Sequence, residues 1–386
     1  MRFIHTADWQ IGMTFRGFKE QTRMLMEVDR FEVIEAIAKY AKDSKNGIDF
    51  VLVCGDMFDS PRIADALVKK TLKKIERIEK PVYVLAGNHE WNGTEFIFSS
   101  RCFLENKPEN LHILSAGINP IPGLDGVEIV AAPLEGKEDE KDLIAEQLEK
   151  LGDTNGIRIV AGHGSIDKIM PAGGRKDLIA LAPIEKALSE GKIHYVAMGD
   201  RHSTTSVGDT DLVWYSGAPE PTGFAEDKQR NVLSVEINKG QKAKVQEVEV
   251  GQWEFIRLGT GVKQHELRKP EDLKEIEKLV DSVKRPSKTA IKIYLDSILD
   301  FDTDMRRRNL FDEWENEILA GFQVSESSNG ARIESDPLKE KAPGALSGYA
   351  LAAYQELKDR AMSDERDSHV ALEALKLLTA FAGGNK

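Results

Sequence analysis

The chain has 386 residues, with 65 Asp plus Glu against 53 Lys plus Arg, a formal net charge of −12. At ~100–200 residues per domain this length implies two or three domains, and 41% hydrophobic residues exclude disorder over most of the chain. No run reaches the ~20 apolar residues of a membrane span, the first eight residues lack the apolar core of a signal peptide, two cysteines make no disulfide framework, and the acidity argues against a surface coated in basic charge to grip nucleic acid; the expectation is a cytoplasmic protein with no membrane association.

Over the first two-thirds, short apolar strands alternate with helices, the pattern of a layered α/β domain. Strands are expected at Phe3–Thr6, Asp49–Cys54, Pro81–Ala86, Val127–Ala132, Arg158–Ala161, Ile193–Met198 and Leu212–Tyr215. Most are nearly continuous apolar runs, which suits strands buried on both faces. Glu20–Lys42 places Leu25, Val28, Phe31, Ile34, Ala38 and Ala41 at helical spacing, and Ile63–Glu79 reads as a strongly charged helix. A hairpin is expected from Asn231–Asn238 and Lys244–Val250, turning at Lys239-Gly240. Composition shifts after Gly251. Strands at Trp253–Leu258, Ile291–Leu295 and Phe322–Glu326 then alternate with helices at Glu271–Val283 and Met305–Leu319. Ser335–Pro343, with two prolines and several charges, reads as a linker, and Ser347–Phe381 carries two amphipathic helical patterns. The expected division is 1–253, an α/β domain; 254–335, a small α+β unit; 336–346, a linker; and 347–386, a helical tail.

The polar residues fall at strand ends. Five strands run into Thr6-Ala7-Asp8-Trp9-Gln10, Cys54-Gly55-Asp56-Met57-Phe58-Asp59, Ala86-Gly87-Asn88-His89-Glu90, Ala161-Gly162-His163-Gly164 and Met198-Gly199-Asp200-Arg201-His202. In open α/β sheets ligands bind beyond the carboxyl ends of the strands, and glycines there allow close backbone approach. Asp, Asn and His make a mixed oxygen and nitrogen donor set that suits Mn²⁺, Fe²⁺ or Zn²⁺. A carboxylate shared by two metals ~3.5–4 Å apart activates water and steadies an in-line phosphoryl displacement. Alone, a Gly-Asp after a strand is usually a turn or a helix cap, and a Gly-His means almost nothing. Five such turns in order are not explained that way. His5 and His194 sit inside strands and read as structural histidines.

These residues resemble the calcineurin-type metallophosphoesterase superfamily, whose pattern is Asp-x-His, Gly-Asp-x-x-Asp/His, Gly-Asn-His-Asp/Glu, Gly-His and Gly-His-x-His. More narrowly, the chain resembles the SbcD-like DNA-repair exonucleases. The opening Ile4-His5-Thr6-Ala7-Asp8-Trp9, the segment Gly55-Asp56-Met57-Phe58-Asp59 and the segment Trp214-Tyr215-Ser216-Gly217-Ala218-Pro219-Glu220 carry that likeness. The resemblance implies an α/β/β/α sandwich with an α+β cap and a partner-binding helical tail. It implies two divalent metal ions, Mn²⁺ or Mg²⁺. Asp8, Asp56 and His202 would hold one, with Asp56 bridging, and Asn88 and His163 would help to hold the second. His89 would orient the phosphate or protonate the leaving oxygen, and Asp59 would orient His89 or steady its own turn. Glu90 would orient His89 or a nearby loop, or is a plain surface carboxylate.

Two positions depart from the pattern. Gln10 and Asp200 stand where the family has histidine. Asp200 can still ligate. Gln10 is a weak neutral ligand, so the first metal binds less tightly or takes an extra water, and the set as a whole shifts towards Mn²⁺ or Mg²⁺. Arg201 faces phosphate or pairs with Asp200.

The resemblance also implies DNA as substrate, double-strand break repair as the setting, a homodimer, and an SbcC-like coiled-coil ATPase partner docked on the C-terminal helices. Arg306, Arg307 and Arg308 are candidate DNA contacts in the cap, against a solvated helix face as the plain alternative. Lys69, Lys70, Lys73 and Lys74 read more simply as such a face, and Trp91 could stack on a base. The activity implied is exonuclease and endonuclease hydrolysis of DNA. The alternatives are a phosphatase or small-substrate phosphodiesterase on the same scaffold, and a DNA-binding scaffold subunit whose metal site has weakened. Residues 1–254 carry −9 (32 basic, 41 acidic). Asp8, Asp56 and Asp200 are part of that excess, which bound cations would offset.

Overall fold

The computed structural model describes residues 1–136, 141–169, 178–326, 332–333, 338, 342–344, 346–363 and 367–382. The chain divides into two units, Met1–Glu254 and Phe255–Lys386.

In the first unit the apolar runs become strands because every position finds a neighbour. Phe50–Cys54, Val82–Leu85 and Tyr195–Gly199 are buried at each residue. Two six-stranded sheets result. The first runs in the order Lys244–Glu249, Asn231–Glu236, Arg2–Thr6, Phe50–Cys54, Val82–Leu85, Leu111–Ile113. Its last four strands are parallel, and the hairpin at 231–249 adds an antiparallel edge. The second runs in the order Thr205–Val207, Val213–Tyr215, Tyr195–Gly199, Ile157–His163, Val127–Ala132, Gly117–Pro120, parallel at its centre and antiparallel at both edges.

Alternate side chains sort into three cores. Phe3, Phe50, Leu52, Leu85, Ile129, Ile159, Tyr195 and Val235 pack between the two sheets. On the outer face of the first sheet, Ile4, Val51, Val53 and Val84 meet Ile34, Ile37, Leu72 and Ile75 of the helices Glu20–Lys42 and Asp65–Glu76. On the outer face of the second, Val130, Val160, Val196 and Met198 meet Ile144 and Ile184 of the helices Leu143–Glu149 and Leu181–Ser189. This is the α/β/β/α layering that the family resemblance implies.

The helix Glu20–Lys42 departs from its expected stripe. Phe31, Ile34, Ala38 and Ala41 are buried as expected, but Leu25 and Val28 are 45% and 50% exposed. Its first half turns Asp29 and Arg30 inward instead. Asp29 accepts from Trp253 Nε1 at 2.8 Å, and Arg30 donates to the carbonyls of Trp9 at 2.9 Å and Pro221 at 2.6 Å. Buried polar anchors take the place of the apolar stripe there.

In the second unit, Thr289–Leu299 is the central strand, with Glu254–Leu258, His265–Leu267, Gly321–Glu326 and Arg332–Ile333 in its sheet. It is longer than the Ile291–Leu295 expected because burial alternates along it, a pattern that an apolar run does not show. Pro270–Asp281 and Phe301–Glu313 are its helices, with Leu273, Ile276, Phe311, Trp314 and Phe322 in the core. The second begins earlier than expected because Asp300 caps the Thr303 amide at 2.8 Å, and it ends in a π-helical turn, Trp314–Ile318. Gly348–Ala361 and Ser368–Ala382 form a helical pair. Most of the linker expected over 336–346 lies outside the described residues. No helix among the described residues is long and apolar enough to cross a membrane.

Candidate metal centre

The first two strand-end turns are stitched to each other. The amides of Asp8, Gln10 and Ile11 donate to the carbonyls of Gly55, Asp56 and Met57 at 2.9–3.0 Å, so the parallel ladder continues past both strands. To turn side chains inward there, the backbone enters the left-handed region: φ is +54° at Asp8, +43° at Gln10, +53° at Asp56 and +90° at Asp200. Each such residue costs ~1–3 kcal/mol, and such strain concentrates at functional sites.

Asp8, Asp56 and His163 then converge, with one ligand atom of each lying within 4.8 Å of the others. Asp8 is fully buried. Its Oδ1 accepts the Asp200 amide at 3.1 Å, and its Oδ2 has no hydrogen-bond partner among the described residues. Burial pushes the Asp8 carboxyl up to about 7, against the pull of His202 and His163. Burial would raise Asp56 too, but the His163 and His89 imidazoles outweigh it and hold Asp56 below the usual carboxylate range. Burial opposes charge on His163, yet the Asp56 carboxylate, 3.4 Å from its Nε2, raises it well above the imidazole range. Nδ1–H donates to the Cys54 carbonyl at 2.8 Å, and Nε2 lies 3.0 Å from Asn88 Oδ1.

Glycines make this packing possible. A Cβ at Gly55 would fall 2.2 Å from His163 Nδ1, one at Gly87 would fall 2.3 Å from Asp56 Oδ1, and one at Gly199 would fall 1.8 Å from the Cys54 carbonyl oxygen.

Glu90 corrects one expectation: it is no surface carboxylate. It is fully buried and accepts the amides of Asp56, Phe58 and Gly87 at 3.0, 3.1 and 2.8 Å, tying the second turn to the third. Burial pushes it up to about 7. His89 is half-buried. Its Nδ1–H donates to the main-chain carbonyl of Asp59 at 2.7 Å, while the Asp59 carboxylate lies 3.9 Å away, and its Nε2 is 3.8 Å from Asp56 Oδ2.

His202 is held by residues outside the five motifs. Nδ1–H donates to Thr222 Oγ1 at 2.5 Å; the Thr222 hydroxyl donates to Glu226 Oε1, which also accepts the amides of Thr222 and Gly223 at 2.9 Å. Burial would lower His202, but the Glu226 hydrogen bond and the Asp8 charge outweigh it and raise it to about 9. This relay leaves Nε2 facing Gln10, whose amide nitrogen is 3.3 Å away. Asp200 Oδ2 accepts from Ser165 Oγ at 2.9 Å. Nothing in the sequence pointed to Thr222 and Glu226 beyond their lying just after the Pro219-Glu220 segment.

Two cavities border the cluster and share no lining residue. One, of about 410 Å³, is lined by Ser165, Asp200, Arg201, His202, Tyr215 and Thr222 among others. The other, of about 370 Å³, is lined by Asp59, Arg62, Asn88, His89, Trp91 and their neighbours. Trp91 stacks on Phe96 with ring centroids 4.2 Å apart.

Residues 1–204 match the Metallophos family of calcineurin-like phosphoesterases. This chain is a calcineurin-like phosphoesterase. Its similarity to curated proteins is lower. It is 27% identical over 294 residues to the D subunit of the nuclease SbcCD from Bacillus subtilis, covering 64% of this chain and 69% of that protein. It is 24% identical over 281 residues to the corresponding SbcCD nuclease protein of Escherichia coli K12, covering 65% and 68%. Among solved structures, a dimetal phosphatase from Danio rerio covers 64% of this chain and 97% of that one, at 11% identity and a TM-score of 0.40. The phosphoesterase offers a buried site that fits a divalent cation: an orphaned carboxylate oxygen on Asp8, a second carboxylate on Asp56, and the His163 imidazole converge on one point.

The remaining candidates lie elsewhere in the phosphoesterase. Arg306 pairs with Glu277 at 2.6 Å, Arg307 is buried between Asp304 and Glu326 at 2.9 and 2.5 Å, and Arg308 pairs with Asp304 at 2.8 Å. Lys74 is buried against Glu32 at 3.2 Å, and Lys70 covers the Phe31 ring. His5 is buried, and burial lowers it to about 3, which fits a structural histidine.

Proposed function

We propose that this phosphoesterase is a nuclease that hydrolyses DNA phosphodiesters, as exonuclease and endonuclease, with two divalent cations of the Mn²⁺ or Mg²⁺ type. The observation that carries the reading is the pair of separate cavities bordering one cluster. A phosphodiester has a substituent on each side of phosphorus, and a monoester needs room for only one.

Asp8, Gln10, Asp56 and His202 would hold one cation, and Asp56, Asn88, His163 and Asp200 the other. Bound there, divalent cations supply Lewis-acid polarisation of the phosphoryl oxygens and acidify water. The chain's own residues do the rest. Glu90 and the glycines fix the turns that present Asp56. Asp59, through its carbonyl, fixes the Nδ1–H of His89, so Nε2 is the atom left to face substrate; entering the step as imidazolium, the ring gives its Nε2 proton to the leaving oxygen and ends as the neutral Nδ1–H tautomer.

The likeness to the SbcCD nuclease proteins supports a setting in DNA repair in the cytoplasm, with a coiled-coil ATPase partner, and we extend the homodimer expectation on the same footing. The partner's seat would be the helices Gly348–Ala361 and Ser368–Ala382, which expose Tyr349, Val370, Leu377 and Phe381. Residues 1–253 would be the nuclease domain, 254–335 the cap, 336–346 the linker and 347–386 the tail. In the cap, Arg306 and Arg308 reach solvent and would exchange a carboxylate for a phosphate, while buried Arg307 positions their helix.

The test is Mn²⁺-dependent cleavage of linear DNA by wild type and by His89→Ala. Wild type should cut, and the variant should lose ~10²–10⁴-fold in kcat, the range of a removed general acid. Equal rates would refute the assignment of His89, and no metal-dependent cleavage by wild type would refute the nuclease reading.

A further inference from the structure

We propose that Arg201 binds the phosphate next along the strand from the one being cleaved, which makes the cavity around it a nucleotide subsite; this rests on the DNA-nuclease reading above. The fold leaves the charge of Arg201 unused. Its Nε donates to Thr205 Oγ1 at 2.9 Å, and that hydroxyl in turn donates to the Ser203 carbonyl at 2.9 Å, which fixes the plane of the guanidinium. The two terminal nitrogens have no hydrogen bond or ion pair among the described residues. Asp200, the adjacent carboxylate, does not pair with it and is engaged by Ser165 at 2.9 Å.

Buried or half-buried arginines nearby in the unit have partners for their terminal nitrogens. Arg158 has Glu128 at 2.8 Å and Arg230 has Glu249 at 3.1 Å, while Arg30 has the carbonyls of Trp9 and Pro221 at 2.9 and 2.6 Å. A half-buried, oriented and unpaired guanidinium in a chain of net charge −12 is a receptor for an anion. Its planar fork matches two phosphate oxygens at once.

The location selects which anion. Arg201 lies between Asp200 and His202 in one strand-end turn and lines the cavity of about 410 Å³ together with them, Tyr215 and Thr222. That volume lies within the ~300–1,000 Å³ of ligand clefts. A strand whose scissile phosphate sits at Asp8 and Asp56 must carry its next phosphate beyond that cluster, and the cavity lined by Asp200, Arg201 and His202 gives that part of the strand room.

The full-length protein is tested with a fluorescein-labelled single-stranded oligonucleotide, with binding read by anisotropy in Ca²⁺ over a salt titration and cleavage read in Mn²⁺. Arg201→Gln should weaken binding ~10-fold and flatten the salt dependence by ~0.7 in the log–log slope, one phosphate contact on a single strand. KM should rise by a similar factor while kcat holds within ~2-fold. Arg201→Lys should keep the slope and recover part of the affinity, since it restores charge without the fork. Unchanged affinity and slope in a folded Arg201→Gln would overturn the proposal. So would a fall in kcat at unchanged KM, which would place Arg201 at the scissile phosphate. If wild type hydrolyses bis-p-nitrophenyl phosphate but neither binds nor cuts the oligonucleotide, the DNA reading fails and takes this proposal with it; wild-type binding with an unchanged Arg201→Gln slope defeats this proposal alone.

Discussion

Gly199→Ala tests whether the site depends on backbone contact between the two sheets. Gly199 pairs with His163 in the parallel ladder of the second sheet. Its added Cβ would lie 1.8 Å from the Cys54 carbonyl oxygen and 2.7 Å from His163 Nδ1. Non-bonded heavy atoms rest ~3.5 Å apart, so the carbonyl must retreat by roughly half that distance, and it belongs to backbone rather than to a flexible side-chain tip. The retreat also breaks the 2.8 Å bond from His163 Nδ1–H to that oxygen. Overpacking costs ~1–3 kcal/mol and the stranded buried donor another ~1–3 kcal/mol, so a loss of ~2–6 kcal/mol is expected. In a domain of this size that lowers Tm by at least ~4 °C. Mn²⁺ affinity should fall ~10-fold or more as the ring tilts. Urea unfolding and titration calorimetry measure both. Gly152→Ala is the control, because a Cβ there meets nothing within 4 Å. A Gly199→Ala protein within ~0.5 kcal/mol of wild type, with unchanged Mn²⁺ affinity, would refute the reasoning.

Thr222→Val keeps the volume but removes the hydroxyl between His202 and Glu226; calorimetric Mn²⁺ affinity should drop ~10–100-fold, Thr222→Ser should restore it, and a full-affinity valine variant would show that the relay is idle. Glu220 is buried beneath the amides of Gln252 and Trp253, and burial pushes it up to about 7 from an ordinary 4.5. The folded state keeps this proton between those values while the unfolded chain has lost it, so stability is lost as pH rises from ~4.5 to ~7, by ~3 kcal/mol for this group. Urea midpoints of metal-free wild type should fall over that window, and Glu220→Gln should fall less; parallel curves would contradict the assignment.

The five strand-end turns were legible because each is local: an apolar run, a glycine and a ligand-type side chain within about five residues. What tied them together was not. Glu90 reads as a motif's last letter until its carboxylate is seen to accept amides from Asp56 and Phe58, more than thirty residues away. The Thr222–Glu226 support for His202 likewise comes from a loop with no ligand-type spacing. The arginine triplet is an instructive case, because Asp304 stands three residues before Arg307 and four before Arg308, on the same helix face. That pairing could have been read from helical periodicity once the helix was known to begin at Phe301.

The left-handed backbone at Asp8, Asp56 and Asp200 also limits which mutations this centre could survive. Among side chains that bind hard cations, Asp, Asn and His are the ones that enter that region readily. Exchanges within that trio leave the turns intact and trade charge for imidazole, so the site can retune its metal preference by single substitutions. Glutamate, chemically the nearest acid, enters that region less readily, and the same cost falls on Gln10 at φ +43°. That makes position 10 the place where a one-residue change to His would relax the backbone and strengthen a donor together.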